Sequence, residues 1–258
     1  MIDIHSHILP GLDDGAYDLD EALLMARQAV SCGIHTLIAT PHHMNGRFYN
    51  SCVQIVQYVK TFQDQLDDYN IPLRVIAGQE IRIYPQLLEE LSSGVLSSLG
   101  NSRYVLLELP PDRIPTVTEK IVKDLIQSNR VPIIAHPERN REIIESPEKL
   151  LKLVDHGALS QITAHSLLGS YGKTIMQLSL RMCRSGLAHF IASDAHDTAK
   201  SGFALDKAYG VIQAKLGEGA VRSLQHNAWC VIQDVAITAE HPVWVKPKWF
   251  RVWKAYKI

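Results

Sequence analysis

Cysteine is scarce and scattered in this chain. Cys32, Cys52, Cys183 and Cys230 form no Cys-x-x-Cys pair, which excludes a disulfide framework and a thiolate-type structural zinc site, and leaves four reduced thiols whose expected role is core packing. Charge of one sign is lacking too. A net charge of −1 gives no general attraction to nucleic acid or to an anionic membrane. No apolar run reaches the roughly 18 residues that a spanning helix needs, and the start shows neither a basic nor an apolar export segment, so a cytoplasmic location is expected. No stretch rich in glycine, proline or serine divides the 258 residues, and no repeat or low-complexity segment interrupts them. Residues 1–258 therefore read as one domain. Its end is unusual: 242–258 holds no acid, five Lys or Arg, and Trp244, Trp249 and Trp253 out of four tryptophans in all. That segment reads as a tail packed over the globule, or as a docking segment for a membrane surface or an acidic partner.

What is present is ordinary in bulk, with 46% hydrophobic and 21% charged residues, and ordered in pattern. Val- and Ile-rich runs at 2–5, 35–39, 73–77, 104–109, 132–135, 159–163 and 189–192 suit strands buried on both faces of a parallel sheet. Amphipathic stretches lie between them, at 18–31, 51–69, 115–128, 147–156, 173–185 and 205–216, with a further helix at 220–226. Asp18 and Glu21 resemble a helix cap and its reciprocal partner, with Gly33 past the helix end. Seven βα units imply right-handed parallel crossovers and a closed or nearly closed barrel. An open doubly wound sheet is the alternative, and 230–235 is a candidate for one more short strand.

Reactive side chains fall at the ends of those strands. His5 and His7 share one face of the first, because side chains alternate along a strand. Thr40-Pro41-His42-His43 follows the second, and of its two imidazoles His42 is preferred. Glu80 follows the third. Glu108 ends the fourth, inside Val105-Leu106-Leu107-Glu108-Leu109, where a buried charge is costly without a cation. His136 follows the fifth, Thr163-Ala164-His165-Ser166 the sixth, and Asp194 and His196 the seventh. Asp13-Asp14-Gly15, in the first loop, reaches the same mouth. His35, His156, His189, His226 and His241 lie elsewhere and read as structural or solvent-facing. In a barrel the strand ends converge on one face. His, Asp and Glu without Cys suit a hydrolytic centre of the Mn, Fe, Zn or Mg type, and so many ligands favour two or three ions.

His5-x-His7, Thr40-Pro41-His42, Glu80, His136 and Ser193-Asp194-Ala195-His196 resemble the polymerase and histidinol phosphatase (PHP) superfamily of metal-dependent phosphoesterases. The finer resemblance is to its bacterial protein-tyrosine phosphatase branch, linked to capsular and exopolysaccharide synthesis. It is carried by Met1-Ile2-Asp3-Ile4-His5-Ser6-His7, Asp13-Asp14-Gly15, Gly78-Gln79-Glu80-Ile81, Ala135-His136-Pro137-Glu138-Arg139 and Thr163-Ala164-His165-Ser166-Leu167-Leu168-Gly169, and extends over about residues 1–235. The resemblance implies a distorted (β/α)7 TIM-like barrel of the PHP fold with a trinuclear centre. One ion would take His5, His7, Glu80 and Asp194. A second would share Glu80 and add Glu108 and His136. A third would take Asp14, His42 and His196, with Asp13 a rival for Asp14. Manganese is the expected metal, with Fe, Zn, Co or Mg as substitutes.

The resemblance also implies that Arg139 grips phosphate. Lys200 stands where branch members often carry a second arginine, and offers a point charge in place of a fork. His165 is expected beside the phosphate as a donor, not as a ligand. The implied reaction is hydrolysis of phosphotyrosine by metal-activated water, on the tail of a membrane-associated bacterial tyrosine kinase. Three divalent ions against four carboxylates leave about two positive charges, which matches a phosphomonoester dianion. No cysteine begins a Cys-x5-Arg loop, which argues against thiol chemistry. The competing readings are a small-molecule phosphomonoesterase of the histidinol-phosphate type and a non-catalytic binder of the phosphorylated tail.

Overall fold

The computed structural model describes residues 1–238 and 241–244. The chain opens with β1 (Ile2–Ser6), α1 (Leu19–Ser31), β2 (Thr36–Ala39), β3 (His42–His43), α2 (Cys52–Asp68), β4 (Arg74–Ala77), β5 (Glu80–Arg82), α3 (Leu87–Ser92) and β6 (Tyr104–Glu108). It continues with α4 (Thr118–Gln127), β7 (Val131–Ala135), α5 (Arg141–Glu145), α6 (Glu148–Asp155), β8 (Leu159–Thr163), α7 (Ala164–Leu168), α8 (Lys173–Arg184), β9 (Phe190–Ala192), α9 (Leu205–Leu216) and α10 (Glu218–Gln233). Asp18 caps α1 by accepting from the Glu21 amide at 3.0 Å, and Glu21 reaches back to the Tyr17 amide, one residue beyond the cap.

All strand pairs are parallel, in the orders β1-β2-β4 and β3-β5-β6-β7-β8-β9. The two sets are one ring, because β2 continues into β3 across Thr40-Pro41 and β4 into β5 across Gly78-Gln79. Proline lacks an amide to donate, so a ladder breaks there. At Gly78 a Cβ would sit 2.5 Å from Ile38 Cγ2, so only glycine lets the neighbouring strands approach. Across the break the Gly78 amide donates to Ala39 O and the Glu80 amide to Pro41 O, while the buried Gln79 side-chain amide ties in the neighbouring loops, donating to Asn50 O and accepting from Ser97 N. The ring closes between β1 and β9: the Asp194 amide donates to His5 O at 3.0 Å and the His7 amide to Ala195 O at 2.8 Å. Seven strands thus make the distorted (β/α)7 barrel, in place of an open sheet.

Inward side chains of the strands, among them Ile4, Ile38, Leu106 and Ile133, form one apolar cluster. Their outward neighbours Leu37, Val105, Leu107 and Ile134 pack under the helices in another. Both faces of each strand are buried, which is why the runs read as continuous and not alternating. Ala228 and Val231 of α10 join the inner cluster beside Tyr104, Leu159 and Phe190, the first residues of their strands. α10 therefore plugs the N-terminal end of the barrel. This corrects the expected strand at 230–235: Ala228 and Val231, three apart, share a helical face, and the helix runs to Gln233. Three short helices, α3, α5 and α7, were not expected.

The basic, Trp-rich segment at 242–258 falls mostly outside the described residues. Its first part docks on the globule. Val243 N donates to Ser185 O, and the Arg181 guanidinium lies 4.4 Å from the Trp244 ring. Among the described residues no helix is long and apolar enough to cross a membrane.

Candidate metal centre

The C-terminal ends of the strands bring together all nine of the expected ligands. His5 Nε2 and His7 Nε2 lie 3.2 Å apart. Glu80 Oε2 is 3.3 and 3.4 Å from them, and Asp194 Oδ1 is 3.3 and 3.5 Å from them. A tetrahedron of ligand atoms about 2.0–2.1 Å from a central ion has edges of about 3.3–3.4 Å, so these spacings are those of a ligand cage. Glu80 is the hub. Its Oε1 meets His136 Nε2 at 2.9 Å, and its Oε2 also meets His42 Nδ1 at 2.9 Å. The latter two atoms are buried and lack the alignment of a hydrogen bond, an orphaned donor–acceptor pair that a cation resolves. On the other side of His42, Asp14 Oδ1 lies 3.5 Å from His42 Nε2 and 3.6 Å from His196 Nε2. The groups His5/His7/Glu80, His42/Glu80/Glu108 and His7/Asp14/His42/His196 each present ligand atoms within 4.8 Å of one another. The residues fit divalent metal at more than one position.

Hydrogen bonds distinguish the two aspartates of the first loop. Asp13 Oδ2 accepts from His7 Nδ1 at 2.6 Å and from the His42 amide at 2.9 Å, and Oδ1 accepts from the Gly15 amide. Asp13 is committed to orienting His7, and Asp14 faces the cavity. Gln161 does the same for His5, its Oε1 lying 2.7 Å from Nδ1. Fixing the proton on Nδ1 leaves each Nε2 lone pair for an ion. Two of the candidate ligands stand in left-handed backbone, His136 at φ +31° and Asp194 at φ +54°. Such conformations cost about 1–3 kcal/mol and cluster at functional sites.

The electrostatics call for positive charge. Burial raises the Glu80 carboxyl, but His5 and His42 outweigh it and hold it well below the usual range. Burial likewise raises Asp194, and His5 and Arg139 bring it down. Burial lowers the His5 imidazole, yet Glu80 and Asp194 push it up to about 9. Without metal, imidazolium charge holds the carboxylates together.

A cavity of about 400 Å³ opens over this cluster, lined by Asp14, His42, Glu108, His136, Asp194 and His196 together with Arg82 and Arg139. Arg139 Nη1 pairs with Asp194 Oδ2, and its guanidinium lies 5.1 Å from the Tyr171 ring. The neighbouring glutamates are engaged elsewhere: Glu138 is buried and accepts from Thr163 N and Ser166 Oγ, and Glu142 pairs with Lys149. His43 is turned away from the centre toward Asn50 O.

Two expected site residues are not brought to the cavity. His165 lies in α7 with Nε2 2.8 Å from Gly202 O and Nδ1 3.1 Å from Ser170 Oγ, so both ring nitrogens are engaged elsewhere. Lys200 lies in an exposed loop and does not line the cavity. Arg82, Gln161 and Asp3 were not singled out from sequence. Asp3 Oδ1 accepts from Ser193 N at 3.1 Å and ties the first strand to the last. Arg82 and Gln161 carried a signal: each follows, at a spacing of two, an inward-facing residue of its strand.

The model of the family described as capsular polysaccharide synthesis, CpsB/CapC, matches residues 1–233. Tyrosine-protein phosphatase YwqE of Bacillus subtilis (strain 168) is 43% identical over 246 residues, 95% of this chain and 97% of its own. CapC of Staphylococcus aureus is 37% identical over 252 residues, 97% of this chain and 99% of its own. A crystal structure from the pair YwqE of Bacillus subtilis and CpsB of Streptococcus pneumoniae, described as unique metal-dependent tyrosine phosphatases, matches with a TM-score of 0.93 at 42% identity, covering 96% of this chain and 100% of that one. With the ligand cage, the seven-stranded barrel and the near full-length matches in agreement, the chain belongs to the CpsB/CapC family.

Proposed function

We propose that the protein is a metal-dependent protein-tyrosine phosphatase that acts on the phosphorylated tail of a bacterial tyrosine kinase governing capsular or exopolysaccharide synthesis. The observation that carries this reading is the convergence of nine His, Asp and Glu side chains, with the Arg139 guanidinium, on one open cavity. His5, His7, Glu80 and Asp194 would hold one ion, Glu80, Glu108 and His136 a second, and Asp14, His42 and His196 a third. The donor set of imidazole and carboxylate accommodates manganese, as it does iron, zinc or magnesium. When bound, the ions supply positive charge for the phosphoryl oxygens and acidify water.

The chain's own residues do the rest. Arg139 binds the phosphoryl group through the N–H groups that Asp194 leaves free, its plane fixed by that carboxylate and by Tyr171. A guanidinium matches phosphate oxygens in pairs. Asp13 and Gln161 keep His7 and His5 in the tautomer that ligates. Apart from the candidate ligands themselves, the described residues that line the cavity are arginine, asparagine and apolar side chains, with no free acid among them to protonate a leaving group. A tyrosyl phenolate, of pKa about 10, leaves with less help than an alkoxide. The geometry therefore supports an aryl phosphate over an alkyl one. The basic segment 242–258 suits an enzyme held near a membrane-associated kinase.

Phosphate release from a tyrosine-phosphorylated peptide tests the reading, measured with Mn²⁺, with EDTA and in His136→Ala. Turnover is expected to require metal and to fall by at least about 10²-fold in the variant. Faster release from small alkyl phosphomonoesters, or saturable peptide binding without release, would overturn it.

A further inference from the structure

Arg82 stands two residues beyond Glu80 on β5, and the parallel register places it opposite Glu108 on β6. Side chains at paired positions of adjacent strands project from the same face. The guanidinium meets the carboxylate as a fork, Nε to Oε2 and Nη2 to Oε1, both at 2.9 Å. Both side chains are largely buried and line the catalytic cavity. Among the described residues the Arg82 side chain makes no other hydrogen bond.

That geometry leaves Glu108 able to do something else. Each carboxylate oxygen accepts at two lone-pair positions. The fork takes one on each oxygen, and Oε2 still lies 3.6 Å from His42 Nδ1 within the His42/Glu80/Glu108 group. Glu80 and Glu108 carry like charge in one buried group, and Arg82 supplies an opposite charge paired with Glu108. We propose that Arg82 is a positioning residue: it holds the Glu108 carboxylate in the orientation that ligates, and so sets how tightly the ion served by Glu108 is bound. The proposal rests on the metal-dependent reading given above, and is separable from the identity of the substrate.

Manganese titration of the purified chain, against a competing chelating indicator, reads this without any assay of activity. The set is wild type, Arg82→Gln, Arg82→Lys, Glu108→Gln and the double variant, each checked for a wild-type thermal transition without metal. Arg82→Gln is expected to weaken one manganese-binding step, that of the ion served by Glu108, about 10–100-fold, the scale for loss of a residue that orients a ligand. The other steps keep their affinity. Arg82→Lys recovers part of the loss, because lysine restores charge without the fork. In the Glu108→Gln background, Arg82→Gln is expected to change affinity by less than about twofold, since the partner it acts through is already gone. An equal loss in both backgrounds would overturn the proposal. So would an unchanged titration with impaired peptide dephosphorylation, which would place Arg82 on the substrate. Should Arg82→Gln not fold, the Arg82→Lys pair decides the same cycle. Wild-type protein that binds manganese but releases no phosphate would sink the phosphatase reading and leave this test intact.

Discussion

His165 follows β8 as His136 follows β7, yet the two rings end in different places. The chain enters α7 directly after Thr163, and the His165 ring is taken up by Gly202 O and Ser170 Oγ. At His136 the backbone turns left-handed and delivers the ring to Glu80. His165→Ala is accordingly expected to lower turnover of a phosphotyrosine peptide by less than about tenfold, where loss of a general acid costs 10²–10⁴-fold. A steady-state comparison checks it, and a loss of 10³ would return His165 to the reaction. Eight of the nine candidate ligands were legible in the sequence as strand-end residues, because a strand end is a fixed address in a barrel. The rule fails where a helix begins at once, as after β8. Asp13 and Asp14 were not separable by spacing, since what separates them is the hydrogen bonds Asp13 makes to the His7 ring and the His42 amide. Lys200 was placed by resemblance alone, and no packing draws it inward.

At the scale of elements, long helices and buried strands were legible from periodicity and caps, while α3, α5 and α7 are too short to show a period. The strand breaks at Thr40-Pro41 and Gly78-Gln79 were visible as residues but not as breaks. They matter because they let β3 and β5 carry His42 and Glu80 into the centre. The loop after β1 is as tightly built. A Cβ at Gly15 would meet His7 O at 1.9 Å, and the Gly15 amide holds Asp13. Gly15→Ala must displace the loop that presents Asp13 and Asp14. A loss of about 1–3 kcal/mol in stability is expected, with reduced metal per chain. Calorimetry and metal analysis check it, and a variant with wild-type melting and metal content would show that the loop yields freely.

Across the whole molecule, the end of the barrel opposite the cavity is sealed by α10, and a histidine lies buried there. His189 Nδ1 accepts from Ser160 N at 3.1 Å, Nε2 has no partner among the described residues, and burial pushes the ring down to about 4. The unfolded chain takes up this proton near pH 6.5 and the folded one only near 4. Stability from this group is therefore complete above about 6.5 and is lost as pH falls toward 4. His189→Asn keeps an acceptor for Ser160 and removes the titration. Between pH 7 and pH 5 the wild type is expected to lose about 2 kcal/mol more than the variant, measured by urea unfolding with chelator present. Equal losses would show that His189 does not titrate. The closure of β1 on β9 carries a different consequence. His5 and Asp194, which share one ligand cage, lie at opposite ends of the chain's synthesis. A nascent chain can present His5, His7, Glu80 and His136 to a metal ion only as an unfinished set until Asp194 and His196 have left the ribosome. Metal capture is then a late event, and a chain cut short before β9 forfeits the ion however well its earlier strands have formed.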